Sequence, residues 1–103
     1  MSDALVRIKR AVLAGAYAFS KKARMELEAD DLTEFDVVES IANAVAIYKT
    51  LRSRSPLRKA ARERLYVIES VNLAGLAIYT KGKFVSEADR ETYYFLVSSK
   101  RAL

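Results

Sequence analysis

The chain has 103 residues, a formal net charge of +5 and a hydrophobic content of 51%. This length and composition predict one globular domain that can bury a core without disulfide or metal support. Because the sequence contains no cysteine and no histidine, it excludes disulfides, thiolate zinc sites and histidine acid–base catalysis. We therefore expect no metal or other cofactor, and any chemistry has to use Lys, Arg, Tyr, Ser, Thr, Asp or Glu.

No stretch of the sequence is long enough to cross a bilayer. The longest uncharged runs are Ala11 to Ser20, with ten residues, and Ser70 to Thr80, with eleven, and each includes a glycine. A membrane-spanning helix needs about 20 apolar residues. The chain opens on Ser2 and Asp3 and continues into a basic helix, unlike a secretory signal peptide. We expect a cytoplasmic bacterial protein that does not engage membranes.

The first half of the chain predicts three helices. The first covers residues 3–14, is capped by Ser2 or Asp3 and stops at Gly15. Its inward positions recur at helical spacing and are Leu5, Ile8 and Val12. A short apolar connection or small strand follows at Tyr17 to Phe19.

The second helix is predicted from Lys21 to about Glu28, with Ser20 as its cap. Its apolar positions are Ala23, Met25 and Leu27. The third helix is predicted from Glu34 to about Asn43 and has the clearest start signal in the chain. Thr33 and Asp36 have the spacing of a capping box, and Leu32 and Val37 that of a hydrophobic staple. Its inward stripe is predicted to comprise Val38, Ile41, Ala42 and Val45.

The second half favours strands, because β-branched and aromatic residues dominate it. The predicted strands lie at 45–48, from about Arg64 to 68, at 76–79 and at 92–97. Connections are predicted at Asn72 to Gly75, at a bend over Lys81 to Lys83, and in a polar loop at 86–91. The segment 55–62 fits a loop or one helical turn. Short connections predict a mainly antiparallel sheet, so the fold class is α+β, with three N-terminal helices packed on about four strands.

Positive charge is concentrated in residues 49–64, which have a balance of +6 from seven cations and the single acid Glu63. Clustered cations attract phosphates and release condensed counterions, so this segment predicts an RNA- or phosphate-binding surface. A solvated basic loop without a ligand is the alternative. The cations of the segment are Lys49, Arg52, Arg54, Arg58, Lys59, Arg62 and Arg64.

The order of elements resembles the MqsR family of bacterial toxins and an uncharacterised domain family placed near the RelE-like ribonuclease toxins. The resemblance covers nearly the whole chain. It is carried by the Ile8-Lys9-Arg10 helix, the Ile47-Tyr48-Lys49-Thr50-Leu51 strand, the Ile78-Tyr79-Thr80-Lys81-Gly82-Lys83 segment and the Val97-Ser98-Ser99-Lys100-Arg101 terminus. It implies a RelE-like fold, an mRNA-cleaving toxin that acts on free or ribosome-bound mRNA, and a cognate antitoxin as partner.

The resemblance also implies an active site. It assigns Lys49 and Lys100 as catalytic lysines and makes Tyr79 the nearest match to a catalytic tyrosine. A lysine flanked by other cations can serve as a base, because like charges lower its pKa. Tyr79 can protonate the leaving oxygen or stack on a base. Further residues expected to bind RNA phosphates are Arg52, Arg54, Arg62, Arg64 and Lys81.

Strand parity limits this expectation. Lys49 and Lys100 converge only if the ends of their strands are neighbours. Lys100 is predicted to lie just beyond the last strand, and its parity puts it in phase with Tyr94 and Leu96. The alternative function is a non-catalytic RNA- or partner-binding module of the same fold. It is favoured because one glutamine of the family has no counterpart and because Lys22 stands where a histidine is common in the uncharacterised family. A DNA-binding regulator is a third, weaker hypothesis, since the second and third helices are acidic.

Overall fold

The computed structural model describes residues 2–52, 63–86 and 92–102. Within them lie three helices, namely α1 (Asp3–Leu13), α2 (Lys21–Ala29) and α3 (Glu34–Asn43). They accompany a five-stranded sheet in the order β1-β5-β4-β3-β2. Its strands are β1 (Tyr17–Phe19), β2 (Lys49–Arg52), β3 (Arg64–Val71), β4 (Ala77–Val85) and β5 (Tyr93–Arg101). The predicted α+β class is confirmed, with one strand more than expected.

The sheet is mainly antiparallel, with one exception at its edge. The β2–β3, β3–β4 and β4–β5 pairs are antiparallel, as the short connections predicted. The short strand β1 pairs parallel to β5, with Tyr17 opposite Tyr94. Since α1 and α2 flank β1 in the chain, this pairing brings both helices to the same side of the molecule as β5.

The helix starts follow the local sequence. The Ser2 hydroxyl accepts from the Leu5 N–H at 3.2 Å. At α3 both bonds of the predicted capping box are present: Asp36 N–H donates to the Thr33 hydroxyl at 3.1 Å, and Thr33 N–H donates to Asp36 Oδ2 at 2.9 Å. Capping of this kind satisfies backbone donors that the first helical turn leaves unpaired.

One face of the sheet is covered by α1 and α3. Leu5, Ile8 and Val12 are buried as predicted. They pack against alternate residues of the strands, which point to the same face of the sheet. Hydrophobic burial here supplies the main driving force for folding. The core is formed by Leu5, Ile8, Val12, Leu27, Leu32, Val37, Ile41, Ala44, Ile68, Ile78, Tyr94 and Leu96.

The helix α2 lies along the free edge of β5, where β1 has ended. Glu26 Oε1 accepts the Ser99 N–H at 3.3 Å, and Asp30 Oδ2 accepts the Arg101 N–H at 2.8 Å. Four helical residues rise about 6 Å and two strand residues about 6.8 Å. The two carboxylates therefore match the repeat of outward-facing N–H groups, and α2 takes the place of another strand.

A β-bulge in β5 changes which residues share a face. Gly82 is opposite Leu96, whereas its neighbour Lys81 is opposite Ser98, so Val97 is an additional residue in β5. An extra residue inverts the alternation beyond it. The prediction that Lys100 is in phase with Tyr94 and Leu96 is therefore wrong. Lys100 lies inside β5 and on the opposite face of the sheet, across from Tyr79.

Several boundaries differ from the predicted ones. The second strand begins at Lys49 rather than at Val45, and Val45 is 86% exposed. The predicted bend at Lys81 to Lys83 is wrong, because these residues are inside β4. Met25 is 60% exposed because it faces away from Ala23 and Leu27, the buried positions of α2 that are four residues apart.

Of the predicted connections between elements, one is confirmed and two lie wholly or mostly outside the described residues. The turn predicted at Asn72 to Gly75 is present: the Gly75 N–H donates to the Asn72 carbonyl at 3.1 Å, and Gly75 has a φ of +84°. The contested segment 55–62 and most of the polar loop predicted at 86–91 lie outside the described residues. None of the helices in the described ranges has the length and hydrophobicity needed to span a bilayer.

Candidate functional site

The sheet face turned away from α1 and α3 carries a set of cations that we call the lysine face. Strand alternation sends Ile68, Ile78 and Tyr94 into the core, so their neighbours point the other way. A row across four strands begins at Lys49, opposite Val67 of β3. Val67 is opposite Lys81, which is opposite Ser98. The lysine face is defined by Lys49, Lys81, Lys83 and Lys100, with Tyr79 among them.

Tyr79 and Lys100 form a direct cross-strand pair on this face. The Lys100 ammonium nitrogen lies 5.4 Å from the centroid of the Tyr79 ring, within the range of a cation–π contact. On its other side Tyr79 is opposite Glu69 of β3. The structure therefore brings together two of the three residues expected to be catalytic.

The Tyr79 hydroxyl is held in its neutral form. Burial raises the pKa of Tyr79 above its ordinary value of 10.0, and the negative charges of Glu69 and Glu26 raise it further. Desolvation and nearby carboxylates both disfavour a phenolate. At neutral pH Tyr79 is consequently a proton donor or hydrogen-bond donor and not a base.

Glu26 is the residue of this site that the sequence did not single out. Its Oε1 accepts from the Ser98 hydroxyl at 2.7 Å and from the Ser99 N–H at 3.3 Å. Its Oε2 lies 3.9 Å from the Lys22 ammonium and 4.0 Å from that of Lys100. The carboxylate is thus fixed beside Lys100, on the side of β5 away from Tyr79.

Lys49 and Lys100 are not brought together. Their strands are separated by β3 and β4, and three steps of about 4.8 Å place β2 about 14 Å from β5. The condition for convergence, neighbouring strand ends, is not met. Lys49 is exposed at the sheet edge, where it lies 5.8 Å from the ring centroid of Tyr48.

Lys81 lies between these two regions. It occupies the same row as Lys49 and is two residues along β4 from Tyr79. Lys83, which the sequence did not single out, forms an ion pair with Glu63 at 3.1 Å, and both side chains are largely buried. Lys81 and Lys100 are therefore the lysines best placed to meet a ligand beside Tyr79.

Arg52 and Arg64 lie on the other face of the sheet. They are opposite each other on β2 and β3, in phase with Tyr66, which packs against the core. Both are exposed, and neither forms a salt bridge with another residue of the described ranges. The expected site is thus split between two faces, while Arg54 and Arg62 lie outside the described residues.

An open groove of about 440 Å³ adjoins the two arginines on the helix side of the sheet. Thr50 and Tyr66 line its floor and are themselves a cross-strand pair next to Arg52 and Arg64. Its other lining residues are Ser2, Ala4, Val45, Ala46 and Ile47. The groove contains none of the residues of the Tyr79–Lys100 pair.

Comparison of the chain with protein-family models, curated proteins and solved structures finds no match. In the described ranges, acidic side chains form no group of three or more that could hold a metal ion. What the site can do is therefore argued from its geometry. Glu26, Lys100 and Tyr79 offer a carboxylate, a cation and a neutral hydroxyl in sequence across the edge of the sheet.

Sequence reasoning missed Glu26 because it is one of seven acids between residues 26 and 39. The only indication in the sequence was its spacing of four residues from Asp30. This spacing matches the repeat of N–H groups along a strand edge, but it has that meaning only once α2 is known to lie beside β5. The sequence drew attention to Lys22 only through the histidine that is common at this position in the family resembled. In the structure it faces Glu26 from the preceding turn of α2.

Proposed function

We propose that the protein is a metal-free endoribonuclease of the type that serves as the toxin of a bacterial toxin–antitoxin pair. The observation that carries the proposal is the Tyr79–Lys100 pair, with a contact of 5.4 Å between ammonium and ring. Cleavage of RNA by its own 2′-hydroxyl requires stabilisation of a dianionic phosphorane and protonation of the 5′ oxygen. Preorganised positive charge is usually the largest contribution to such a reaction.

Each role has a candidate in the described residues. Lys100 is half exposed and can bind the scissile phosphate. Tyr79 remains protonated and can donate to the leaving oxygen, a step worth roughly 10²- to 10⁴-fold in rate. Lys81 lies one row away, where it can hold an adjacent phosphate. In this proposal Lys49, at the far edge of the sheet, binds RNA and does not take part in chemistry.

RNA is the favoured substrate because exposed cations extend across the sheet from the pair to its far edge. Exposed cations on both sides of β2 include Lys49 on one face and Arg52 on the other. A flexible single strand can follow such a surface, whereas a rigid duplex needs a protruding element that fits a groove. The proposed RelE-like relationship, an antitoxin as inhibitor and a cytoplasmic location belong to the same proposal.

A non-catalytic RNA-binding module is the second candidate. It is favoured by the distance of about 14 Å between β2 and β5, which separates Lys49 from Lys100. Such a module would bind RNA through the same cations without cutting it. The two functions differ in whether RNA ends are produced, so a single type of experiment separates them.

The test is induced expression of the protein in a bacterial host, followed by primer extension on total RNA. The wild type is expected to arrest growth and to create discrete new mRNA ends, whereas Tyr79→Phe/Lys100→Ala does neither. Lys21→Ala is the matched control, because Lys21 is exposed at the start of α2. Normal growth with intact RNA and abundant folded wild type would favour the binding module instead.

A further inference from the structure

We propose that Glu26 is the general base of the reaction and removes the proton from the attacking 2′-hydroxyl. This inference rests on the endoribonuclease function proposed above, and it replaces the expectation that a lysine is the base. It assigns a catalytic role to α2, a helix that contributed nothing to the site expected from the sequence.

The first argument is the fixed position of the carboxylate. Ser98 and Ser99 both donate to Oε1, at 2.7 and 3.3 Å. This leaves Oε2 directed between the ammonium groups of Lys22 and Lys100. One oxygen anchors the side chain while the other is available, which is the arrangement that a base needs to meet a substrate proton in a defined geometry.

The second argument is the order of groups across the edge of the sheet. Glu26 approaches Lys100 from the α2 side of β5, and Tyr79 approaches it from the β4 side. A phosphate bound at Lys100 would therefore have a carboxylate on one side and a phenol on the other. In-line displacement at phosphorus needs this arrangement, because the attacking and leaving oxygens lie on opposite sides of the phosphorus atom.

The third argument is chemical. Lys100 and Lys22 are ammonium ions when they face a carboxylate at about 4 Å, and a protonated amine cannot accept a proton. Both lysines are better suited to neutralising the phosphorane. The Tyr79 hydroxyl is protonated as well. Among the groups that meet at Lys100, the Glu26 carboxylate is the one with a free lone pair for the 2′-hydroxyl proton.

The step balances as follows. The 2′-hydroxyl proton passes to Glu26 Oε2 while the 2′ oxygen forms a bond to phosphorus. The bond from phosphorus to the 5′ oxygen breaks, and this oxygen takes the proton of the Tyr79 hydroxyl. The products are a 2′,3′-cyclic phosphate and a 5′-hydroxyl, and exchange of one proton between Glu26 and Tyr79 through solvent restores the enzyme.

The test compares Glu26→Gln with the wild type in single-turnover cleavage of a single-stranded RNA across pH. Glutamine keeps an oxygen that accepts from Ser98 and Ser99, so the edge contact survives. We expect the rate to fall roughly 100-fold or more, as for loss of a general base. RNA affinity is expected to stay equal or increase, because a negative charge is removed. A structural role would instead weaken binding and lower the melting temperature.

The pH profile supplies a second readout, which does not depend on the size of the rate loss. The titratable groups facing Glu26 are Lys22 on its own helix, Lys100 on β5 and, further away, the neutral Tyr79 on β4. A carboxylate can act as a base only while it is ionised. Wild-type cleavage should therefore decline as Glu26 is protonated, and this acid limb should be absent from Glu26→Gln.

The matched control is Asp30→Asn, which alters the other α2 carboxylate that binds a β5 N–H and should leave the rate and the acid limb unchanged. An acid limb retained in Glu26→Gln, or a rate equal to that of the wild type, would overturn the assignment of Glu26 while leaving the ribonuclease function intact. A wild type that binds RNA without cutting it would overturn both.

Discussion

Tyr79 and Lys100 lie directly opposite each other on β4 and β5, with the ammonium nitrogen 5.4 Å from the ring centroid. The contact exists because a bulge at Val97 turns Lys100 onto the face of Tyr79. In the regular alternation expected from the sequence, Lys100 would have shared a face with buried Tyr94. The bulge in β5, which neither Tyr79 nor Lys100 specifies, thus creates the contact at the centre of the proposed site.

The first prediction concerns the charge that keeps Tyr79 neutral. Glu69 is opposite Tyr79 and raises its pKa, so Glu69→Gln should move this pKa downward while burial still holds it above the ordinary value. Tyrosinate formation can be followed by ultraviolet absorbance, with the Tyr79→Phe variant subtracted to isolate the signal. Glu39→Gln, which changes a carboxylate on α3, is the control. An unchanged Tyr79 titration in Glu69→Gln would contradict the assignment.

The second prediction concerns the bulge and the close approach at Gly82. A β-carbon at this position would lie 2.5 Å from Cζ and 2.7 Å from the hydroxyl oxygen of Tyr94, whose ring is fully buried. Gly82→Ala should therefore cost about 1–3 kcal/mol, the usual penalty of overpacking. Urea unfolding measures this loss.

The same contact permits a double-mutant cycle. Tyr94→Leu removes the ring atoms that the new methyl group would meet, so Gly82→Ala should cost much less in that background than in the wild type. Additive losses in the double variant would show that the two residues do not interact as described.

The third prediction is a pH dependence of stability centred on Asp36. The Thr33 N–H bond chiefly lowers the pKa of Asp36 below its ordinary value of 3.8, helped by the Thr33 hydroxyl and Asn72 and opposed by partial burial. A carboxyl group with a lowered folded-state pKa stabilises the fold above its unfolded pKa, and this stability is lost as pH falls through the folded value.

Asp36→Asn should therefore be less stable than the wild type at neutral pH, and the difference should shrink below about pH 4. Melting temperatures of both proteins, measured about once per pH unit from about pH 2 to 7, would show whether the difference shrinks in this way. Glu28→Gln, at an exposed position of α2, should show no such trend. A constant difference between Asp36→Asn and the wild type would contradict the mechanism.

The fourth prediction concerns the like-charged pair of Arg52 and Arg64. Like charges that are directly opposite on neighbouring strands destabilise a sheet, whereas opposite charges contribute roughly 0.2–1 kcal/mol. Arg64→Glu and Arg52→Glu should each raise the free energy of unfolding, and the double variant, which restores a like-charged pair, should not. If these residues also bind flanking phosphates, each single variant weakens RNA binding and flattens its salt dependence.

The local features of this fold could be predicted from the sequence, because a helix start depends on residues within one turn of one another. Thr33 and Asp36 predicted both the position and the bonding of the α3 cap. The face of Lys100 could not be predicted in this way. It depends on the register between β4 and β5, which shifts next to Gly82, where the Tyr94 ring packs.

The composition of the candidate site depended on strand order as well. Lys49 and Lys100 are both near strand ends, and only the order β5-β4-β3-β2 shows that two strands separate them. Glu26 could not be assigned to the site from the sequence, since its partners Ser98 and Ser99 lie more than 70 residues away in the chain. Residue type correctly predicted Lys49, Arg52 and Arg64 as surface groups, but not which cations meet.

The most direct test of the account is the action of the purified protein on a defined single-stranded RNA, alone and on translating ribosomes, with a chelator present in the assay of RNA alone. The wild type is expected to produce fragments that end in a 2′,3′-cyclic phosphate and a 5′-hydroxyl, and Tyr79→Phe/Lys100→Ala to leave the RNA intact. RNA left whole by the folded wild type in both assays, or equal cleavage by the double variant, would contradict the central claim.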